Sequence, residues 1–163
     1  MPRAIYPGSF DPMTLGHLDI IRRASKLFDS VMMAVVWNPE KAPLLPIGVR
    51  TMLISTVVEY IPGVSVGHFQ GLTVDFAKEN NISVLIRGLR AVSDYEAELV
   101  MAQTNRQLFP ELETIFLMSK AEYSFISSSI VKEIVRLGGD VSEFVPPPVN
   151  DYLKSIAAEA PNR

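Results

Sequence analysis

Ala4-Ile5-Tyr6-Pro7-Gly8-Ser9-Phe10-Asp11-Pro12-Met13-Thr14-Leu15-Gly16-His17 carries more information than any other run of this chain. Ala4–Tyr6 is short and apolar, as a buried strand would be, and Pro7 ends it. Gly8 to Pro12 form a turn in which Gly8, lacking Cβ, lets the backbone come close to a ligand, Ser9 offers a hydroxyl and an amide, and Pro12 fixes the bend. Gly16-His17 then opens a helix running to Leu27. Leu18, Ile20, Ile21, Ala24, Leu27 and Phe28 are its apolar positions, with Asp19, Arg22, Arg23 and Lys26 elsewhere. The free N–H groups of a helix start and its dipole favour an anion, and His17 is expected to aim at it.

Downstream of that unit, short apolar runs and helix-period segments keep alternating. Val31–Val36, Val64–Phe69, Val84–Ile86 and Thr114–Met118 read as further strands. Arg50–Tyr60, Thr73–Glu79, Ser93–Phe109 and Ser128–Leu137 read as the helices between and after them, with Gly138-Gly139 as a stop. Pro146-Pro147-Pro148 bends the chain into a last helix, Asn150–Ala158, packed on a single domain spanning residues 1–163. Strand and helix alternating in this way predict an α/β fold. It is a Rossmann-like, doubly wound, five-stranded parallel sheet with helices on both faces. With strand order 3-2-1-4-5, the loops after strands one (Gly8–His17) and four (Arg87–Arg90) flank the switch point, where such sheets bind ligands.

Bulk composition narrows the function. A chain of 163 residues with 48% hydrophobic and 20% charged residues suits one globular domain with a real core. A net charge of −3 argues against a general nucleic-acid binder, which needs a broad cationic footprint, but allows a small anion site. The absence of cysteine excludes disulfides, Cys-ligated zinc and thiol nucleophiles. No signal peptide is read at the N-terminus, and no apolar run approaches the roughly 20 residues of a membrane span. The expectation is a cytoplasmic protein with neither a membrane nor a nucleic-acid partner.

A second motif, Phe125-Ile126-Ser127-Ser128-Ser129-Ile130-Val131-Lys132, sets three hydroxyls at a helix start. One hydroxyl is enough to cap a helix; three in a row suit a triphosphate, since hydroxyls and amides then point the same way. Paired with Thr14-Leu15-Gly16-His17, this element resembles the signatures of the T/H-x-G-H nucleotidyltransferases. Together with Leu85-Ile86-Arg87-Gly88-Leu89-Arg90, the string Tyr6–Pro12 resembles the bacterial phosphopantetheine adenylyltransferase family over about residues 2 to 158.

The resemblance implies a reaction. The adenylyl group of ATP passes to 4′-phosphopantetheine, giving dephospho-coenzyme A and pyrophosphate by direct in-line attack with no covalent enzyme intermediate. It implies that Ser9, Phe10, His17, Gly88, Leu89, Arg90, Glu98 and the run Tyr123, Ser124, Phe125, Ile126, Ser127, Ser128 and Ser129 bind ATP. Ser9, Lys41, Thr73 and Arg87 match the acceptor-binding positions, and His17 the residue that stabilises the transition state. A homohexamer and feedback inhibition by coenzyme A are also family expectations.

Elementary chemistry agrees with that reading. A phosphate monoester with a second pKa near about 6 is largely dianionic at neutral pH, so it needs no general base. The task is to hold cations and donors where charge develops on the α-phosphate. His17, Lys41, Arg90 and the amides of the two helix starts are available for it, with Mg²⁺ brought in on the phosphates rather than in a carboxylate cage.

Structural roles compete at several positions. Arg87 and Arg90 could neutralise Asp94 or Glu96, and Glu98 could belong to a solvated acidic face or accept from a ribose hydroxyl. Met118-Ser119-Lys120 faintly resembles the second signature of class I tRNA synthetases, a chance match because Ser127–Lys132 already fills that role. Leu45–Arg50 lacks an acidic residue before the arginine, which leaves the start of that helix open. The rival functions are a transferase with a nicotinamide mononucleotide or cytidylyl acceptor, and a nucleotide-binding module without turnover.

Overall fold

The computed structural model describes residues 2–38 and 42–159. Among them, β1 (Arg3–Gly8), β2 (Ser30–Trp37), β3 (Val64–Gln70), β4 (Val84–Leu89) and β5 (Glu113–Met118) form one sheet, parallel throughout and ordered β3-β2-β1-β4-β5. The helices are α1 (Leu15–Ala24), α2 (Ile47–Val58), α3 (Thr73–Glu79), α4 (Val92–Leu108), α5 (Ser128–Arg136) and α6 (Pro147–Glu159), with a 3₁₀ turn at Ala121–Tyr123.

The sheet is covered on both faces, which explains why its strands are apolar without alternation. Ala4, Tyr6, Val31, Met33, Val84 and Ile86 share one core with Ile20 and Ile21 of α1, Ile54 of α2, Val131 of α5 and Val149 and Leu153 of α6. The intervening residues Ile5 and Leu85 turn the other way and meet Val74 and Ala77 of α3, with Ile82 and Leu112. The two-residue period of a strand thus sorts the chain into two layers. Each fully buried Ile or Leu contributes roughly 1.5–3 kcal/mol relative to exposure.

Four boundaries differ from the expected ones by three residues. Strand four does not end at Ile86: β4 runs to Leu89, because Arg87, Gly88 and Leu89 pair with Phe116, Leu117 and Met118 of β5. Arg87 therefore sits on a strand, not in a loop, on the face that Leu85 shares. The last helix starts at Pro147, three residues early, since proline at the first helical position gives up an N–H that has no partner there. α2 starts at Ile47 rather than Arg50, without a side-chain cap. Its first turn is held instead by the Arg50 amide on the Pro46 carbonyl (3.0 Å) and by Arg50 Nε on the Leu45 carbonyl (3.0 Å). α1 stops at Ala24, leaving Leu27 half exposed at 50%.

Candidate active site

The chain leaves β1 in a strained loop. Phe10 has φ +46°, a left-handed conformation that costs a non-glycine residue on the order of 1–3 kcal/mol. Its ring is buried edge-on against Tyr6 (centroids 5.4 Å) and His17 (5.0 Å). A Cβ on Gly8 would lie 3.0 Å from Phe10 Cζ, so the missing side chain of Gly8 makes room for this ring. Gly8 lines the cavity, and its missing side chain also makes room for the aromatic wall that backs His17.

Asp11 holds the loop in place. Its buried carboxylate accepts from the amides of Leu44 (2.9 Å) and Leu45 (2.8 Å) and pairs with Lys132 Nζ (3.2 Å). Ser128 Oγ donates to the Pro12 carbonyl at 2.8 Å. The two sequence motifs, more than a hundred residues apart, are thereby bonded to each other. Ser127 caps α5 by accepting from the Ile130 amide (3.1 Å), while the amides of Ser128 and Ser129 belong to the helix positions that have no intrahelical partner. Lys132 was not singled out from sequence as a site residue. It lies four residues after Ser128, hence on the same face of α5, and that spacing was the available signal.

Thr14 and His17 form a capping box at the start of α1. The Thr14 amide donates to His17 Nδ1 (3.0 Å), and the His17 amide donates to Thr14 Oγ1. Burial, with Arg90 and Arg87 nearby, lowers the imidazole pKa to about 4. At neutral pH the ring is uncharged, and with Nδ1 accepting, its proton sits on Nε2. His17 is thus a fixed neutral donor rather than a cation. Burial also pushes the Tyr6 hydroxyl well above its ordinary pKa, so it is no base.

The arginines are paired. Arg87 reaches back from β4 to α4, donating to both Glu98 oxygens (2.7 and 2.5 Å) and to the Pro7 carbonyl (3.0 Å). Burial works against its charge, but Glu98 outweighs that and holds its pKa above the usual arginine value. Arg90 grips Asp94 with Nε (3.0 Å) and Nη2 (3.2 Å) and the Ile126 carbonyl with Nη1 (3.4 Å). Glu98, expected beside ATP, and Arg87, expected beside the acceptor, are one ion pair.

These groups wall a cavity of about 540 Å³ at the carboxyl ends of β1, β2 and β4. Of the residues expected from sequence, Ser9, Phe10, His17, Arg87, Gly88, Arg90 and Glu98 line it, as do Ile126, Ser127, Ser128 and Ser129. Leu89 is buried behind the wall, and Tyr123, Ser124 and Phe125 do not border the cavity. Tyr123 instead packs near Gly16, and Phe125 lies edge-on to Phe144. Thr73 opens α3 and also lies off the cavity. Lys41 lies outside the described residues; Asn38 and Ala42, on either side of its segment, line the cavity. Gly88 is in the wall, and a Cβ there would come within 3.3 Å of Ile20 Cγ1. Asp11, Arg50 and Lys132 are cavity residues that sequence reasoning did not place there.

Comparison with known proteins gives this site a relationship. The cytidylyltransferase-like family model matches residues 5–134. Phosphopantetheine adenylyltransferases from Gloeobacter violaceus and a Cyanothece strain are 53% and 52% identical over 158 residues, covering 97% of this chain and 98% and 94% of theirs. One from Alkaliphilus metalliredigens is 52% identical over 146 residues, 90% of this chain and 93% of its own. A Plasmodium falciparum nicotinic acid mononucleotide adenylyltransferase structure superimposes with a TM-score of 0.71 at 16% identity, covering 95% of each chain, a likeness of fold. The order and parallel pairing of the strands, the joined motifs and these identities over nearly the whole length have one reading: the chain belongs to the cytidylyltransferase-like family and, within it, to the phosphopantetheine adenylyltransferases.

Proposed function

We propose that this protein transfers the adenylyl group of ATP to 4′-phosphopantetheine, releasing pyrophosphate and forming dephospho-coenzyme A. The observation that carries the reading is the bond from Ser128 to the Pro12 carbonyl, which sets the starts of α1 and α5 around one cavity with the neutral His17 between them. A triphosphate suits the free amides of α5, and the ring proton on Nε2 of His17 suits an oxygen gaining charge at the α-phosphate.

An oxygen of the acceptor phosphate attacks the α-phosphorus, and the bond to the β-phosphate oxygen breaks in line with it. Pyrophosphate carries off the electron pair, and no proton has to be removed from the nucleophile. Ser9 and Lys41 are assigned to the acceptor, and Arg90 to ATP, where a phosphate oxygen would share its guanidinium with Asp94. The cavity carboxylates Asp11, Asp94 and Glu98 are each held by a cation, so the lining fits magnesium carried by phosphate oxygens and water. Bound that way, magnesium neutralises the triphosphate.

A homohexamer in the cytoplasm, with coenzyme A as a feedback inhibitor, completes the proposal. Val100 and Met101 of α4 are exposed at 64% and 54%, a surface that another copy would cover. Incubating the protein with ATP and, in turn, phosphopantetheine, nicotinamide mononucleotide and a cytidylyl acceptor with CTP tests substrate choice. Pyrophosphate release with phosphopantetheine alone is expected, and release with another acceptor only would overturn the reading.

A further inference from the structure

Arg50 belongs to no motif that pointed to the function, yet it borders the cavity and is only 3% exposed. Its Nε donates to the Leu45 carbonyl (3.0 Å), and Nη1 to the carbonyls of Ser9 (2.7 Å) and Val36 (3.2 Å). Those carbonyls lie just past β1, near the end of β2 and in the turn before α2. They orient the guanidinium and partly solvate it, but they do not neutralise it.

The other cations on the described cavity wall all carry carboxylates: Arg87 has Glu98, Arg90 has Asp94, and Lys132 has Asp11. Among the described residues Arg50 has no ion pair. Asp11 attracts it at longer range, but that carboxylate already serves Lys132 and two backbone amides. Four cations against three carboxylates leave one net positive charge on the described wall, and its source is Arg50. Burying an unpaired cation is costly, and one held so by three carbonyls is set to meet an anion that arrives from outside.

We propose that Arg50 is a further substrate-binding determinant: a fixed charge beside the ends of β1 and β2, without a carboxylate partner among the described residues, that raises affinity for the phosphate of the acceptor. The side is fixed by its bonds, since Val36 leads into Asn38 and Leu45 follows Ala42 and Pro43, the residues bordering the segment of Lys41. The inference rests on the functional reading above. It adds a charge-specific role for a residue whose hydrogen bonds alone would suggest a structural staple.

The test compares calorimetric affinities for 4′-phosphopantetheine and for pantetheine, which lacks the phosphate. In Arg50→Met the preference for the phosphorylated ligand should fall at least about tenfold, equal to about 1.4 kcal/mol. In Arg50→Lys, which keeps the charge, the preference should stay within about threefold of wild type. Equal weakening of both ligands in Arg50→Met, or an unchanged preference, overturns the proposal. If Arg50→Met does not fold, the Nε–H resonance of Arg50 in the wild-type protein decides. A shift on adding phosphopantetheine but not pantetheine supports the proposal, and equal shifts overturn it. A wild-type protein with no phosphate preference and no product sinks the functional reading itself. A wild type that prefers the phosphate while Arg50→Met keeps that preference undiminished sinks only this inference.

Discussion

Replacing Asp11 by Asn probes how the two motifs are held together. The carboxylate accepts from two backbone amides at 2.9 and 2.8 Å and from Lys132 at 3.2 Å. An amide of the same shape has one acceptor oxygen, so one of Leu44 N–H and Leu45 N–H must face an NH₂ group. Losing a hydrogen bond to a charged acceptor costs about 1.5–3 kcal/mol, and the surviving one falls to about half its strength. Lys132, whose side chain is 24% exposed, keeps some water and adds roughly 0–1 kcal/mol. The sum is about 3 kcal/mol, a large part of the roughly 5–15 kcal/mol that keeps a domain folded. Urea unfolding followed by circular dichroism reads it. With an m-value of about 2 kcal/mol/M, the midpoint should drop by about 1.5 M at constant m. Asp11→Ala, which leaves both amides bare, should cost more. A loss below about 0.5 kcal/mol in Asp11→Asn would mean that the tie between the first loop, the turn before α2 and α5 contributes nothing to stability.

His17 is held at a pKa of about 4 in the folded protein, below its ordinary 6.5, so the unfolded chain binds more protons between those values. Its contribution is complete above about pH 6.5 and is lost as pH falls toward 4, up to about 3 kcal/mol in all. Urea titrations at pH 5 and 7 should show that slope, and His17→Gln should flatten it. Thr14→Val removes the cap that accepts from the His17 amide, so about 1 kcal/mol of stability and a larger share of turnover should go, read by thermal melting and initial rates. Gly88→Ala places a Cβ 3.3 Å from Ile20 Cγ1 and should cost about 1 kcal/mol, relieved in an Ile20→Ala background that lacks that atom; a double-variant cycle checks this.

Much of this was legible before any coordinates. Unbroken apolar strands alternating with an amphipathic period announced a covered parallel sheet, and strand order 3-2-1-4-5 is what formed. The convergence of His17 with Ser127–Ser129 was legible too, because strand-to-helix turns in such a sheet collect at one edge. What could not be read is side-chain pairing across distance. Arg87 and Glu98 are 11 residues apart, on a strand and a helix, and only the packing of α4 on the sheet makes them partners. Arg87–Leu89 looked like a loop because Gly88 mimics a turn residue, whereas the glycine is there to let Ile20 of α1 close on the strand. Asp11 looked like a turn former and proved to be the centre of a three-way bond. The Pro146–Pro148 run looked like a bend, yet prolines at a helix start have no N–H to lose.

The central idea is that an uncharged imidazole, fixed by Thr14 and backed by Phe10, donates from Nε2 to the phosphate that changes hands. Pyrophosphate release by His17→Ala with ATP and phosphopantetheine, measured beside ATP affinity, addresses it. The expected result is a kcat lower by about 10²–10³ with ATP binding within threefold of wild type. Turnover within threefold of wild type in a folded variant would contradict it.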